Sequence, residues 1–177
     1  QEHQKFAGNK TIPLSGGIFL SFFIIYIFID SLIFLSIFIF FTFVIGFLSD
    51  INFLPSPKFR ILFQSIILFL FTYLVQIHVG KTGVYLLDII LDNVLMSYLF
   101  TTFCLLIVIN GSNFIDGLNG LLSGYYLMII ASIFYICFNN NEIIFINENE
   151  LKIFFISLLI FFIFNIFGKV YLGDGGS

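Results

Sequence analysis

From Ile18 to Leu48 the chain carries a single charge, Asp30. As one helix this run would be about 46 Å long at about 1.5 Å per residue. The hydrocarbon core of a bilayer is only about 30 Å thick. A lone carboxylate in mid-bilayer is costly, and a tight hairpin at Asp30-Ser31 brings it to the surface instead. The run therefore reads as two short antiparallel spans, 18–29 and 32–48. Four further apolar runs, 61–79, 94–109, 118–138 and 151–167, fit the usual span length of about 17 to 25 residues, the second being short. Composition agrees. Hydrophobic residues make up 60% of the chain and charged ones 10%, with a mean hydropathy of +1.12. A soluble domain carries about 25% charged residues, so the solvent for this surface is lipid. The expected fold is all-α: one integral-membrane domain over 1–177, a polytopic bundle of about six transmembrane helices.

The net charge of −3 leaves no basic footprint for nucleic acid. Cys104 and Cys137 lie inside apolar runs without a CxxC neighbour, and read as buried thiols. The 28 phenylalanines, with no tryptophan, read as biased usage rather than as a site. The first seventeen residues are polar and show no secretory leader. With no initial Met, the chain reads as beginning part-way into a longer protein.

With six spans, the segments 1–17, 49–60, 110–117 and 168–177 share one side. Asp30-Ser31, 80–93 and 139–150 share the other. Lys5, Lys10, Lys58, Arg60 and Lys169 then fall on the first side, and only Lys81 and Lys152 on the second. The positive-inside bias makes the first side cytoplasmic.

The polar interruptions all gather there. In "NGSNFIDGLNG", Asn110 to Gly120, Asn110, Asn113 and Asp116 are three apart and share one helical face. Asp116 stands where it would N-cap the apolar run that follows. Glycines 111, 117 and 120 permit a tight turn and close backbone approach. In "VYLGDGGS", glycines around Asp174 make a loop whose N–H groups can converge on an anion. Its carboxylate suits Mg²⁺, which takes one or two carboxylates together with phosphate oxygens. In "GFLSDINFLPSPKFRILFQ", Asp50 closes a span, and Pro55 and Pro57 stiffen the loop. There Lys58 and Arg60 read as positive-inside anchors. "HQKFAGNKTIPLSGG" precedes the first span; His3 reads as a surface residue and Gly16-Gly17 as a helix entry. Taken singly, each motif also fits a plainer role: a capped loop, a flexible tail, a membrane anchor. Together they set carboxylates, amides, glycine loops and cations at one bilayer edge, where Mg²⁺, phosphates and a lipid head group can meet.

In their order, "HQKFAGNKTIPLSGG", "GFLSD…LPSPKFRILFQ", "NGSNFIDGLNGL" and "KVYLGDGGS" resemble the polyprenyl-phosphate N-acetylhexosamine-1-phosphate transferases of glycosyltransferase family 4. These are relatives of the undecaprenyl-phosphate GlcNAc-1-phosphate transferase and of the phospho-N-acetylmuramoyl-pentapeptide transferase. The resemblance implies a membrane phosphoglycosyl transferase of the bacterial inner membrane, with its active-site loops facing the cytoplasm. It would pass a sugar-1-phosphate from a UDP-N-acetylhexosamine to undecaprenyl phosphate and release UMP, starting a cell-envelope glycan. It further implies Mg²⁺ (or Mn²⁺) and a possible homodimer. Asp50, Asp116 and Ser49 would be catalytic. Asp174 and Asp50 would hold the metal. Lys5, Asn110, Asn113, Asn119, Gly173 and Gly175 would contact the substrates.

Three departures accompany the resemblance. Ser49-Asp50 stands where the family usually has two adjacent aspartates. Asn119 stands where a DGxDG pattern has its second aspartate. The family's histidine-rich loop would follow Ser177, and a further span would precede His3, so the resemblance implies a segment of a larger enzyme. The absence of a "TPTMGG" run leans from the pentapeptide transferase, the alternative reading, towards a hexosamine donor. A transporter is disfavoured because with the hairpin no carboxylate lies mid-span; a non-catalytic membrane anchor or fragment is the other alternative reading.

Overall fold

The computed structural model describes residues 15–51, 53, 56–116, 119–140 and 148–176. Among the described residues there are seven helices and no strand. They are α1 (Ser15–Phe28), α2 (Ile33–Asp50), α3 (Pro57–Val75), α4 (Tyr85–Leu91), α5 (Val94–Ile115), α6 (Leu121–Asn140) and α7 (Glu148–Ile166). The hairpin expected at Asp30-Ser31 is present: the chain turns between α1 and α2, and Asp30 is exposed. Four helices, α2, α3, α5 and α7, are long and apolar enough to cross a membrane. The described apolar stretches of α1 and α6 are shorter.

Local chemistry sets several boundaries. Pro57 opens α3, where its missing N–H would have had no intrahelical partner. The same helix stops at Gln76, in the left-handed region at φ 58°. Asn93 caps α5, its side-chain oxygen accepting from Leu95 N–H at 3.0 Å and Met96 N–H at 3.4 Å. Two differences from the sequence reading stand out. The short helix α4 lies inside 80–93, which carried no helical expectation. Helix α5 runs on through Ile115, so 110–115 form its last turns.

Neighbouring helices form a row in the order α5, α3, α2, α1, α7, α6. The ends of the row, α5 and α6, also touch each other, so the row bends back on itself. Its interior is richer in polar groups than a soluble core. Ser36, Thr72, Ser97, Thr101 and Thr102 are buried, as are Gln64 and Asn165, while large residues such as Phe22, Phe41, Phe103 and Phe164 face outward. Lipid supplies no hydrophobic drive between helices, so close packing and hydrogen bonds hold them together. On α3, Gln64, Leu68 and Thr72 recur every fourth residue and are buried. Thr72 meets the Thr102 hydroxyl and Gln64 meets Asn110, both on α5. A second, apolar cluster of Leu20, Leu122, Leu151, Leu158, Phe161 and Leu172 ties α1, α6 and α7 to the segment after α7. Cys104 is free and half-buried rather than buried; the Cys137 side chain lies outside the described residues.

The two ends of the bundle are distinct. At one end, Ser31 donates to Glu150 at 3.0 Å, and Ser97 and Thr101 bond the backbone of Val79. Lys81 and Lys152 are at this end. At the other end meet the start of α1, the end of α2, the starts of α3 and α6, and the ends of α5 and α7. Lys58, Arg60 and Lys169 are there.

Candidate active site at one end of the bundle

The segment after α7 is a packed element. Gly16 and Gly17, at the start of α1, donate their N–H groups to the carbonyls of Tyr171 and Leu172 at 3.0 and 3.1 Å. Residues 173–176 then turn back, Gly176 N–H donating to Gly173 C=O at 3.1 Å. Glycine at 46 lets α2 come up against this turn: a Cβ there would overlap the Asp174 carbonyl oxygen and the Gly175 Cα. The flexible-tail alternative for "GDGGS" is therefore set aside.

The turn grips Asp50. The N–H of Asp174 donates to Asp50 Oδ1 at 3.1 Å, and the N–H of Gly175 donates to Oδ2 at 3.2 Å. Gly173 adopts φ +72°, and a Cβ on it would lie 2.7 Å from Asp50 Oδ2. Glycine is thus required at 173 both for conformation and for room. The Asp174 side chain lies beside this pair. Its Oδ2 accepts from Ser49 Oγ at 2.9 Å and from Arg60 Nη1 at 2.5 Å. Two carboxylates, one hydroxyl and one guanidinium from α2, α3 and the 173–176 turn therefore share one spot. Their chain separations are 114 to 125 residues.

The amide residues lie along the neighbouring elements. Asn110 Nδ2 donates to Leu106 C=O at 2.9 Å and lies 3.4 Å from Gln64 Oε1, one helical turn beyond Arg60 on α3. Asn113 follows on α5. Asp116 is the C-cap of α5, not the N-cap of the next helix, which starts five residues later at Leu121. The reason is the continuation of α5: the residue expected to open one helix closes the other. At Gly120, φ is +78°. Its N–H donates to Asn165 Oδ1 at 2.6 Å, while Asn165 Nδ2 donates to Val170 C=O at 2.9 Å. A Cβ at Gly168 would lie 3.2 Å from Asn119 Nδ2. The 119–120 turn and the 168–170 segment are thereby pinned to each other. Gly111 has nothing near its missing Cβ, so it makes no close approach. Lys5 and Gly117 lie outside the described residues.

Three residues here were not singled out for a site by sequence. Arg60 reads locally as a membrane anchor. Gln64 and Asn165 are amides inside apolar helices, 2% and 3% exposed, and that polarity was the available signal. Both are held by hydrogen bonds to distant segments, which no local pattern displays.

Among the described residues, no group of three or more His, Cys, Asp or Glu side chains is placed to hold a metal ion. Asp50 and Asp174 form a pair only. That donor set fits Mg²⁺, which keeps waters and substrate phosphates on its other positions. It does not fit a metal held wholly by protein. Asp174 Oδ1 accepts no hydrogen bond among the described residues, while Oδ2 accepts two.

The family model described as glycosyl transferase family 4 matches residues 32–177. That stretch contains Ser49, Asp50, Arg60, the asparagine-rich end of α5 and the 173–176 turn. No curated protein and no solved structure matches the chain.

Proposed function

Since the chain belongs to glycosyl transferase family 4, a family of phosphosugar transferases acting on polyprenyl phosphates, we propose that it transfers N-acetylhexosamine-1-phosphate from a UDP-sugar to undecaprenyl phosphate at the cytoplasmic face of a bacterial inner membrane. An acceptor phosphate oxygen attacks the donor's β-phosphorus. The bond from that phosphorus to the bridging oxygen breaks, UMP leaves with the oxygen, and a polyprenyl diphosphosugar remains. The cluster at the end of α2 suits this reaction because one substrate cannot leave lipid and the other cannot enter it.

The acceptor needs little help from a base. A phosphate monoester has a second pKa of about 6 and is mostly dianionic at neutral pH. The chain's task is positioning and charge neutralisation. When bound, Mg²⁺ at Asp174 and Asp50 supplies charge neutralisation for the diphosphate. The N–H groups of Asp174 and Gly175 fix the Asp50 carboxylate, so its orientation needs no rearrangement. Ser49 donates to Asp174 and carries no charge, so Asp50 holds the essential negative charge on α2. Asn110, Asn113, Asp116 and Asn119 line the nucleotide side, with Gln64 supporting Asn110. Lys5, outside the described residues, is the further residue we assign to the phosphates.

The single observation carrying this reading is the Asp50 carboxylate held in the 173–176 turn beside the Asp174 side chain. The test is UMP release by the protein in nanodiscs containing undecaprenyl phosphate, with a panel of UDP-N-acetylhexosamines. Release is expected to require Mg²⁺ or Mn²⁺. Asp174→Asn should lower it by about 100-fold or more, as for loss of a preorganised electrostatic group. No release with any UDP-sugar would overturn the reading.

A further inference from the structure

We propose that Arg60 competes with the divalent cation for Asp174, so that the cation and the donor's diphosphate bind well together and poorly alone. The inference rests on the transferase reading above. Arg60 engages Asp174 through Nη1 only, at 2.5 Å from the oxygen that also accepts from Ser49. Its Nε–H is buried and has no partner among the described residues. A guanidinium is best satisfied by two parallel bonds, and a buried donor left unpaired is costly. Arg60 is thus held at Asp174 by charge, with donor capacity unspent.

A cation arriving at Asp174 neutralises the carboxylate and repels the guanidinium. Arg60 then needs another anion. Asp50 already accepts two backbone N–H groups. A diphosphate offers several acceptor oxygens and takes both the charge and the idle N–H. Ser49 sharpens the effect. With a hydroxyl at this position the cluster is two carboxylates against one guanidinium, so a lone cation meets only modest attraction. Such coupling is reciprocal: whatever the diphosphate adds to cation affinity, the cation adds to diphosphate affinity.

The experiment measures Mn²⁺ binding by spin resonance without nucleotide, and UDP binding in EDTA by equilibrium dialysis, on the whole chain in nanodiscs. Arg60→Gln is expected to tighten nucleotide-free Mn²⁺ binding about tenfold, within the usual range of a coupling between sites. Arg60→Lys, which keeps the charge, should stay near wild type. In EDTA, Asp174→Asn releases Arg60 and should tighten UDP binding by a similar factor; adding Arg60→Gln to it should abolish the gain. If Arg60→Gln does not fold, the Asp174→Asn arm reads the same pair from its other side. Mn²⁺ binding unchanged or weakened by Arg60→Gln overturns the inference, as does UDP binding indifferent to Asp174→Asn. Either result leaves the transferase reading standing, because that reading is tested by Mn²⁺-dependent UMP release from the wild-type protein. If no variant binds UDP with or without cation, the transferase reading falls and this inference with it.

Discussion

Two aspartates in this chain are held by glycine-bearing loops, one at each end of the bundle. Asp88, on α4, accepts from the N–H and hydroxyl of Thr82, both at 2.7 Å, and from Gly83 N–H at 3.2 Å. Asp50 accepts from the N–H groups of Asp174 and Gly175. The donors to Asp88 lie five and six residues away, and they hold its carboxyl below the usual carboxylate range, chiefly through the Thr82 N–H. Lys81, next to Thr82 in the same loop, adds a smaller lowering by charge, and no second acid joins by hydrogen bond among the described residues. The donors to Asp50 lie 124 and 125 residues away and bring a second carboxylate and an arginine with them. An acid gripped by its own loop stabilises a turn. An acid gripped by a remote loop that brings a second carboxylate and an arginine is the arrangement the proposed transfer calls for.

The sharpest way to break the contrast is at α2. Asp50→Asn should lower UMP release by about 100-fold or more, the scale of a lost preorganised charge. Ser49→Ala should lower it about fivefold, the worth of one ordinary hydrogen bond. Equal losses in both would defeat the assignment of the charge to Asp50. The next test compares glycines. Gly46→Ala drives a Cβ into the backbone of the 174–175 turn and should destabilise the protein by about 1–3 kcal/mol, as overpacking does. Gly80→Ala, at the other end with nothing within 4 Å of its Cβ, should stay within about 0.5 kcal/mol. Thermal unfolding in nanodiscs reads both, and a Gly46→Ala protein as stable as Gly80→Ala would mean the turn does not pack where described. The smallest effect belongs to Asp88. Its lowered folded value means that its contribution is present above the ordinary carboxylate pKa of 3.8 and is lost as pH falls through the lower folded value. Asp88→Asn should therefore melt slightly earlier than wild type at neutral pH, and the gap should close below about pH 4. UMP release should not change.

Much of this arrangement was legible in the residues. One charge in a long apolar run was enough to predict the α1–α2 hairpin, because burying it in lipid is costly. That turn puts the ends of α2, α5 and α7 together, and Asp50 and Asp174 with them. Local pattern failed where a residue's partner is remote. Asp116 looks like the start of a helix because apolar residues follow it, yet "INGSNFI" continues the preceding helix. Arg60 looks like an interfacial anchor because its neighbours are a proline loop and a span; only the fold brings Asp174 to it. Asn165 sits in "FFIFNIFG", and nothing local says that its oxygen meets Gly120 while its nitrogen meets Val170.

The long separation between Asp50 and its donors has a consequence for biogenesis. Synthesis runs from the N-terminus at about 5–20 residues per second. Asp50 therefore emerges roughly 6 to 25 seconds ahead of the Asp174–Gly175 peptide that will clasp it, 124 residues later. Every insertion decision in between must come out right for that peptide to surface on the correct leaflet. One span threaded backwards would leave Asp50 and that peptide facing different compartments, and the clasp around Asp50 cannot close before residue 175 has been made.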